Sequence, residues 1–331
     1  MADRIRWGIV GTGGIASKFA EDLKLLPDAE LVAVSSRGQG SADTFGDRFD
    51  IPHRHIGHEA LAADPQVDAV YVAVPHTGHR DAALAAIASG KAVLVEKPFT
   101  LNAAEAEQMI TAARAAGTFL MEAMWVRFLP HYVHVRELLA EGRIGEVRAV
   151  VSDRGETLST DPLHRINNPE LGGGALLDLG IYPISFASMV TAGGRPPVRV
   201  EAVGRFTETG VDAQSSMVFE YDNGAHAAIS TSLDARGANR ASITGTEGHI
   251  ILTRPWARTC PVEVILNDDT VYATTLPHEG IGLRHQAAEV GRCLRAGELE
   301  SPVIPLDETL AVMRTLDLVR ERIGLRYPGE A

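Results

Sequence analysis

The sequence predicts two domains of different class, an α/β domain with a parallel sheet followed by an α+β domain built on an antiparallel sheet. Short apolar runs alternate with amphipathic stretches over residues 1–122, which is typical of βαβ units. Beyond residue 122, strand-like runs follow one another with tight turns between them, which indicates antiparallel pairing. A chain of 331 residues also suits two domains, at about 100 to 200 residues each.

The elements of the first domain follow from the spacing of apolar residues. Residues 69–74 form a continuous apolar run, which fits a strand buried on both faces of a parallel sheet. Strands are predicted at 6–10, 30–35, 67–74, 92–95 and 118–121, and helices at 15–25, 81–89 and 103–116.

The second domain begins with a strand and a glycine-rich segment, Gly172–Gly174, that opens an apolar run at 175–189. The tripeptide Asp222-Asn223-Gly224 separates two strand-like runs and predicts a hairpin turn. Strands are predicted at 147–154, 198–207, 214–221, 225–233, 239–245, 249–252, 262–266 and 270–275, and closing helices at 283–296 and 306–323.

Composition limits the class of protein. A formal net charge of −12 argues against a nucleic-acid binder, which usually carries a basic face. Cys260 and Cys293 lie in no metal-ligand spacing, so we expect two reduced thiols and no metal site. The N-terminus carries no signal-like apolar segment, and no run approaches the roughly 18 apolar residues that a membrane helix needs. We therefore expect a cytoplasmic protein without membrane or nucleic-acid partners.

A glycine-rich loop joins the first strand to the first helix. In the spacing Gly-x-Gly-x-x-Ala, the first glycine permits a tight turn, the second lets the backbone approach a pyrophosphate, and the alanine lets the helix pack on the strand. The N-terminus of that helix then offers unpaired N–H groups to the anion. The alternative is a structural turn without a ligand. The dinucleotide-binding residues predicted here are Gly11, Thr12, Gly13, Gly14 and Ile15, followed by Ala16.

The end of the second strand bears on the choice of cofactor. An NAD site usually places Asp or Glu there to bind the ribose 2′-hydroxyl. This chain has Ser35, Ser36 and Arg37 instead. A hydroxyl beside a guanidinium suits a 2′-phosphate, so NADP is favoured over NAD, the alternative being that Arg37 is a solvated loop cation.

Lys97 follows the strand predicted at 92–95, within Glu96-Lys97-Pro98. Ligands of open α/β sheets bind beyond the carboxyl ends of the strands, so Lys97 is placed where a nicotinamide and a substrate would lie. A lysine beside a cationic ring can exchange a proton with an alkoxide when its pKa falls toward neutrality. The alternative is an ordinary surface lysine.

Asp178 and Tyr182 lie four residues apart, and on a helix they would share one face. A carboxylate and a phenol side by side could serve a hydroxylated substrate, with Tyr182 exchanging the proton. A helix-capping Asp and a buried Tyr are the alternative. Pro183 should disturb the helix beside the pair.

At this point the sequence resembles the glucose–fructose oxidoreductase / inositol dehydrogenase / rhizopine-catabolism (Gfo/Idh/MocA) superfamily along essentially its whole length. Tyr182, where His is common, and the segment 122–130 resemble the branch of dimeric dihydrodiol dehydrogenases and NADP-dependent D-xylose dehydrogenases. The motifs that carry the resemblance are Gly8–Ala16, Val74–His79, Glu96-Lys97-Pro98, Gly172–Asp178 and Gly297–Pro302.

The resemblance implies a Rossmann doubly wound sheet at 1–122 and a substrate domain with an open, mostly antiparallel sheet at 123–331, its C-terminal helix free to pack back on the first. It also implies a homodimer or homotetramer. The implied site residues are Lys97 and Tyr182 as the acid–base pair supported by Asp178, Ser36 and Arg37 at the adenosine phosphate, Pro75, His79 and Glu96 along the cofactor channel, and Trp125, Arg127 and Arg165 on the substrate side. Core packing and a surface ion pair are the alternative for Trp125 and Arg127.

The function predicted is NADP-dependent hydride transfer to or from a secondary hydroxyl or carbonyl of a sugar, cyclic polyol or trans-dihydrodiol, with no metal. Two alternatives stay open: a glycosidase that uses bound NAD transiently, and a non-catalytic NADP(H)-binding sensor.

Overall fold

The computed structural model describes residues 4–191 and 193–330, and the chain divides into two compact units. The first contains the chain up to Trp125 together with Glu279–Leu306, and the second contains Val126–His278 and the chain from Asp307 onward. The boundary near residue 125 lies close to the one expected at 122. The C-terminal helix was expected to be free to pack back on the first domain, but the segment that belongs to the first unit is 279–306, whereas the chain from Asp307 belongs to the second. In the first unit the Asp22 carboxylate accepts the N–H groups of Ile281 and Gly282 at 3.0 and 2.8 Å.

The first unit is built on a six-stranded sheet in which every neighbouring pair is parallel. Its order is β3-β2-β1-β4-β5-β6, so the direction of winding reverses between β1 and β4, as in a doubly wound fold. The strands are β1 (Ile5–Val10), β2 (Ala29–Ser36), β3 (His53–Ile56), β4 (Ala69–Val72), β5 (Ala92–Glu96) and β6 (Leu120–Ala123). The helices are α1 (Gly14–Leu23), α2 (Gln39–Phe49), α3 (His58–Ala62), α4 (His79–Ala88), α5 (Ala103–Ala116) and α8 (Leu283–Ala296).

Local chemistry explains these boundaries. All four residues of β4 are buried, as expected for a strand covered by helices on both faces. Helix α5 begins where the Asn102 side chain accepts the Glu105 N–H and ends at Gly117, whose φ of +62° favours glycine. The sequence did not predict β3, α2 or α3, because these segments carry few regularly spaced apolar residues.

The second unit is built on an eight-stranded sheet of order β14-β13-β12-β11-β7-β10-β9-β8. Every neighbouring pair is antiparallel except β7 and β10. Its helices are α6 (Pro130–Ala140), α7 (Ile181–Thr191) and α9 (Leu306–Ile323), which starts at the boundary between the units. Its strands are β7 (Val147–Gly155), β8 (Arg199–Phe206), β9 (Asp212–Glu220), β10 (His226–Ser232), β11 (Ala241–Gly245), β12 (Gly248–Leu252), β13 (Pro261–Leu266) and β14 (Val271–Thr275). The predicted mostly antiparallel sheet is confirmed, as is the hairpin at Asp222–Gly224, where Gly224 has a φ of +80°.

One face of this sheet is buried and the other is open. Exposure alternates along β9, as it does when a strand covers a core on one side only. The open sheet face, defined here by Val151, Val203 and Val218, leaves 53 to 71% of these side chains exposed.

Composition gave rise to two expectations, one about the cysteines and one about membrane-spanning segments. Both cysteines are free thiols and both are buried, as expected. No continuous apolar run of membrane-spanning length was expected, and one helical stretch of the described residues, Pro169–Thr191, is long and apolar enough to cross a membrane by length and composition alone. Its most apolar 18-residue window is 94% buried within the fold, as in the central helix of a folded domain.

Candidate active site

The glycine loop has the geometry that a dinucleotide requires. Gly11 has a φ of +109°, and a Cβ there would lie 2.5 Å from the carbonyl oxygen of Ala73, so no larger residue fits. Gly13 and Gly14 are exposed, and among the described residues no atom outside the adjacent residues and the helix's own backbone lies within 4 Å of the place where a Cβ would be. Ala16 is fully buried, which lets α1 pack closely on the sheet.

The N-terminus of α1 is available to an anion. It starts at Gly14 after Gly13, and no side chain of the described residues caps it or places a carboxylate in its first turn. Its first N–H groups and the positive end of the helix dipole therefore face outward from the loop. These features fit the pyrophosphate of a nicotinamide dinucleotide.

The end of β2 fits a phosphate better than a ribose hydroxyl alone. Ser35 is buried, Ser36 is partly exposed and Arg37 is exposed, with no carboxylate at these three positions. Gly11 N–H donates to the Ser35 carbonyl at 2.9 Å, so this strand end lies beside the glycine loop. Arg37 can therefore offer its guanidinium to a phosphate on the adenosine end of the cofactor.

Lys97 follows a buried carboxylate at the end of β5. Glu96 accepts a hydrogen bond from the Tyr71 hydroxyl through Oε1, and its Oε2 accepts the Lys97 backbone N–H at 3.1 Å. Glu96 is 5% exposed, whereas Lys97 is half-buried. Glu96 thus orients the turn that carries Lys97, and the carboxyl end of β5 is the position where an α/β sheet binds its ligands.

The His79 ring packs against the same turn and contacts its backbone. Its ring is fully buried, with Nδ1 3.0 Å from the Pro98 carbonyl oxygen and Nε2 3.0 Å from that of Val74. Burial lowers the pKa of His79 to about 4 although both carbonyls favour the protonated ring. His79 therefore links the segments that follow β4 and β5. The role expected for it was to line the cofactor channel, whereas its ring is buried and is bound to backbone carbonyls on both sides. Pro75, in the same loop, is exposed.

In the second unit, Asp178 and Tyr182 lie on one continuous helical segment, and both are nearly buried. Residues 176–180 form a π-helical turn directly before α7, and the Ile181 N–H donates to the Leu176 carbonyl five residues back. The disturbance expected from Pro183 accordingly takes the form of a widened turn next to the third residue of α7.

Two arginines act on this pair. Both terminal nitrogens of Arg165 lie 3.1 Å from Asp178 Oδ1, and the Arg165 side chain is half exposed. The Arg154 guanidinium lies 6.0 Å from the centre of the Tyr182 ring. Arg165 therefore orients Asp178, and its own exposure leaves it available to a ligand. Neither contact is visible in the local sequence pattern.

Arg127 lies in the interior of the second unit, which corrects its expected place on the substrate side. Its side chain is 1% exposed, and its Nη2 donates to Glu308 at 2.6 Å and to the Ser185 carbonyl at 2.7 Å. Its Nε donates to the Ser185 hydroxyl at 3.0 Å. The buried ion pair accounts for Arg127 as a structural residue. Trp125, the last residue of the first unit, is partly exposed, and its place on the substrate side stays a prediction.

Comparisons of sequence place the chain among dehydrogenases. A family model described as "Oxidoreductase family, NAD-binding Rossmann fold" matches residues 5–124, and one described as "GFO/IDH/MocA C-terminal domain" matches 132–251. The chain is 39% identical over 337 residues to trans-1,2-dihydrobenzene-1,2-diol dehydrogenase of Bos taurus, covering 98% of this chain and 99% of that one. The enzyme of the same name from Homo sapiens is 39% identical over 336 residues, with the same coverage.

Solved structures agree with this relationship. KijD10, a 3-ketoreductase from Actinomadura kijaniata in complex with NADP and TDP-benzene, superposes with a TM-score of 0.84 at 27% identity, over 97% of this chain and 98% of that one. The aldose-aldose oxidoreductase of Caulobacter crescentus, complexed with glycerol, gives 0.87 at 26% identity, over 96% and 97%. With both family models and near full-length relatives in agreement, the chain belongs to the Gfo/Idh/MocA oxidoreductase family.

Proposed function

We propose that this protein is an NADP-dependent oxidoreductase that transfers hydride between the nicotinamide and a secondary hydroxyl or carbonyl of a small polyhydroxylated ring. The observation that carries the proposal is its 39% identity, over 98% of the chain, to trans-1,2-dihydrobenzene-1,2-diol dehydrogenase. The substrate classes that follow are sugars, cyclic polyols and trans-dihydrodiols. The bound dinucleotide supplies or accepts the hydride at its nicotinamide ring.

The cofactor half of the proposal rests on the first unit. Gly11, Gly13 and the uncapped N-terminus of α1 leave room and N–H donors for the pyrophosphate. Ser36 and Arg37 bind the adenosine phosphate, which selects NADP. Thr12, Gly14, Ile15 and Pro75 complete the cofactor contacts, while Glu96 and His79 hold the turn behind Lys97.

The proton half of the proposal rests on three side chains. When a hydroxyl is oxidised, the Tyr182 phenolate takes its proton and becomes a phenol, and in reduction the phenol returns the proton to the alkoxide. The Lys97 ammonium stabilises the negative charge on the alkoxide oxygen. Asp178, oriented by Arg165, accepts a hydrogen bond from a neighbouring hydroxyl of the substrate. Trp125 and Arg165 contribute to the substrate side.

The test of this function is NADPH absorbance with a panel of aldopentoses, aldohexoses, inositols and a trans-dihydrodiol, run in parallel with NAD. Reduction of NADP by at least one ring substrate, lost in Lys97→Ala, is the expected result. Silence across the panel in an enzyme that binds NADPH tightly would reject oxidation of these classes. Carbonyl substrates with NADPH would then be tried. Cleavage of a glycoside without accumulation of reduced cofactor would favour the glycosidase alternative.

Arg37→Ala is expected to raise the KM for NADP by about 10- to 100-fold, because a charge-assisted hydrogen bond to phosphate is worth about 1.5 to 3 kcal/mol. The KM for NAD should change little, since NAD lacks the 2′-phosphate. Steady-state kinetics with both cofactors measure the ratio, with Arg48→Ala, a change at another exposed arginine of the first unit, as the control. An equal change for NADP and NAD would contradict the assignment of Arg37.

The open sheet face is proposed to join two copies of the chain, giving a homodimer or, with a second interface, a homotetramer. Val151, Val203 and Val218 form an exposed apolar surface around a shallow depression that Ala228 also lines. A second copy is the occupant proposed, since a twofold axis brings the same apolar strip against itself. The two buried free thiols agree with the cytoplasmic location proposed for the protein.

Val218→Lys is expected to convert the oligomer to a monomer, because it places a charge within an apolar interface. Light scattering coupled to gel filtration measures the mass. Ile56→Lys is the matched control, since Ile56 is 56% exposed but belongs to the first unit. An unchanged mass in Val218→Lys would show that another surface forms the oligomer.

A further inference from the structure

Two histidines and an aspartate converge at the edge of the parallel sheet, apart from the residues assigned to cofactor and substrate. His53 and His55 occupy alternate positions of β3, so both side chains project from the same face of the strand. Asp64 follows α3, and its Oδ2 lies 2.6 Å from His53 Nδ1 and 2.9 Å from His55 Nε2. Three donor atoms therefore lie within 4.8 Å of one another.

We propose that His53, His55 and Asp64 form a binding site for a divalent transition-metal ion of the Zn²⁺, Co²⁺, Ni²⁺ and Cu²⁺ class. Imidazole nitrogens combined with a single carboxylate suit these ions, whereas Mg²⁺ and Ca²⁺ prefer oxygen ligands only. The two rings are 38% and 24% exposed and Asp64 is 4% exposed. Because the two rings border solvent, a water molecule can reach a bound ion beside them and complete its ligand set.

The carboxylate is held in place by groups outside the ligand set. Asp64 Oδ1 accepts the Gln66 N–H at 2.8 Å, and the Lys91 ammonium donates to the Asp64 carbonyl at 2.9 Å. These two contacts fix the other carboxylate oxygen and the backbone of Asp64. Its Oδ2 therefore stays directed at the two imidazole rings.

Three cationic side chains lie near the site and would repel a metal ion, but each is already engaged by another group. The Lys91 ammonium is engaged by two backbone carbonyls, those of Asp64 and Val67. Arg6 is paired with the Asp68 carboxylate at 2.7 Å. Arg54, between the two histidines, points from the opposite face of β3 and pairs with Asp47.

Entry of a metal requires a small movement of the rings. The present N···O separations are hydrogen-bond lengths, whereas tetrahedral zinc keeps its ligand atoms about 3.3 Å apart. Both rings border solvent, so they can move outward by several tenths of an ångström.

Metal binding would act on the edge of the cofactor domain. Strand β3 pairs in parallel with β2, and His55 lies opposite Ser35. A metal joining β3 to the segment after α3 would stabilise this edge strand next to the end of β2.

The experiment titrates Co²⁺ and Zn²⁺ into the tag-free full-length protein after treatment with a chelator, at pH 7.5. Visible absorption follows Co²⁺, and calorimetry follows Zn²⁺. His53→Ala and His55→Ala are compared with His58→Ala, which removes a neighbouring histidine outside the ligand set. The wild type and His58→Ala should each bind one equivalent of metal ion with similar affinity. His53→Ala and His55→Ala should bind the ion at least about tenfold more weakly. Zinc should raise the thermal midpoint only where it binds.

Two results would overturn the proposal. The first is equal affinity of His55→Ala and wild type, checked with His55→Gln if the alanine variant fails to fold. The second is no binding of either ion to the wild type at tenfold molar excess, in which case the three side chains form a hydrogen-bonded brace only.

Discussion

Tyr182→Phe is expected to lower kcat for the ring substrate by about 10²- to 10⁴-fold, the usual contribution of a positioned general acid–base group. The change removes one oxygen from a side chain that is 9% exposed, and the ring still fills its place under the Arg154 guanidinium. Steady-state kinetics with NADP measure kcat and KM. We expect the loss mainly in kcat, because the phenol acts on the reacting oxygen in the transition state.

Two controls separate chemistry from binding. Fluorescence titration should show that Tyr182→Phe binds NADPH with the wild-type affinity, since all the residues proposed to bind the cofactor lie in the first unit and Tyr182 does not. Lys97→Met should also lose kcat, because it removes the charge that stabilises the alkoxide. If Tyr182→Phe keeps the full kcat while Lys97→Met loses it, the proton is handled by Lys97 alone and the role proposed for Tyr182 is wrong.

The sequence predicted features that depend on local periodicity and on the ends of strands. The glycine loop and the buried run of β4 predicted a parallel α/β sheet, and the family resemblance implied the doubly wound order that this sheet has. Lys97 was identified because a parallel sheet binds ligands at the carboxyl ends of its strands. Strand β3 was missed because its residues His53–Ile56 form a polar edge strand that lacks the apolar pattern of a buried one. The spacing His-x-His could have drawn attention to this segment.

Features that depend on distant contacts were not predictable in this way. The place of α8 in the first unit is fixed by hydrogen bonds between Asp22 and residues about 260 positions later. Arg165 and Asp178 meet because the glycine-rich segment between them folds back. The parallel pairing of β7 with β10 depends on a crossover through α7 that the local pattern of either strand does not contain. Arg127 was misplaced because its carboxylate partner lies 181 residues away in the chain.

The buried position of Arg127 predicts that its partner Glu308 contributes strongly to the stability of the fold. Glu308→Ala is expected to lower the free energy of unfolding by about 3 to 5 kcal/mol, because it leaves a buried guanidinium without its counterion. The Glu308 Oε1 also accepts the Ser188 hydroxyl at 3.0 Å, so the change removes two hydrogen bonds from the interior of the second unit. Urea unfolding followed by circular dichroism measures the difference.

An exposed ion pair of the same length provides the matched control. Arg148 and Glu146 also lie 2.6 Å apart, but their side chains are 54% and 76% exposed. Glu146→Ala should therefore change stability by less than about 1 kcal/mol. A cost for Glu308→Ala no larger than that for Glu146→Ala would show that Arg127 does not depend on this carboxylate.

The double variant Arg127→Met/Glu308→Leu distinguishes a structural arginine from one that binds substrate. Replacing a buried ion pair by apolar side chains of similar volume is often neutral or stabilising, so the double variant should recover most of the stability that Glu308→Ala loses. Its KM should also stay near the wild-type value, since Arg127 is 1% exposed and is bound to Ser185 and Glu308. A stable double variant with a strongly raised KM would instead return Arg127 to the substrate side, because loss of a substrate contact changes KM without changing stability.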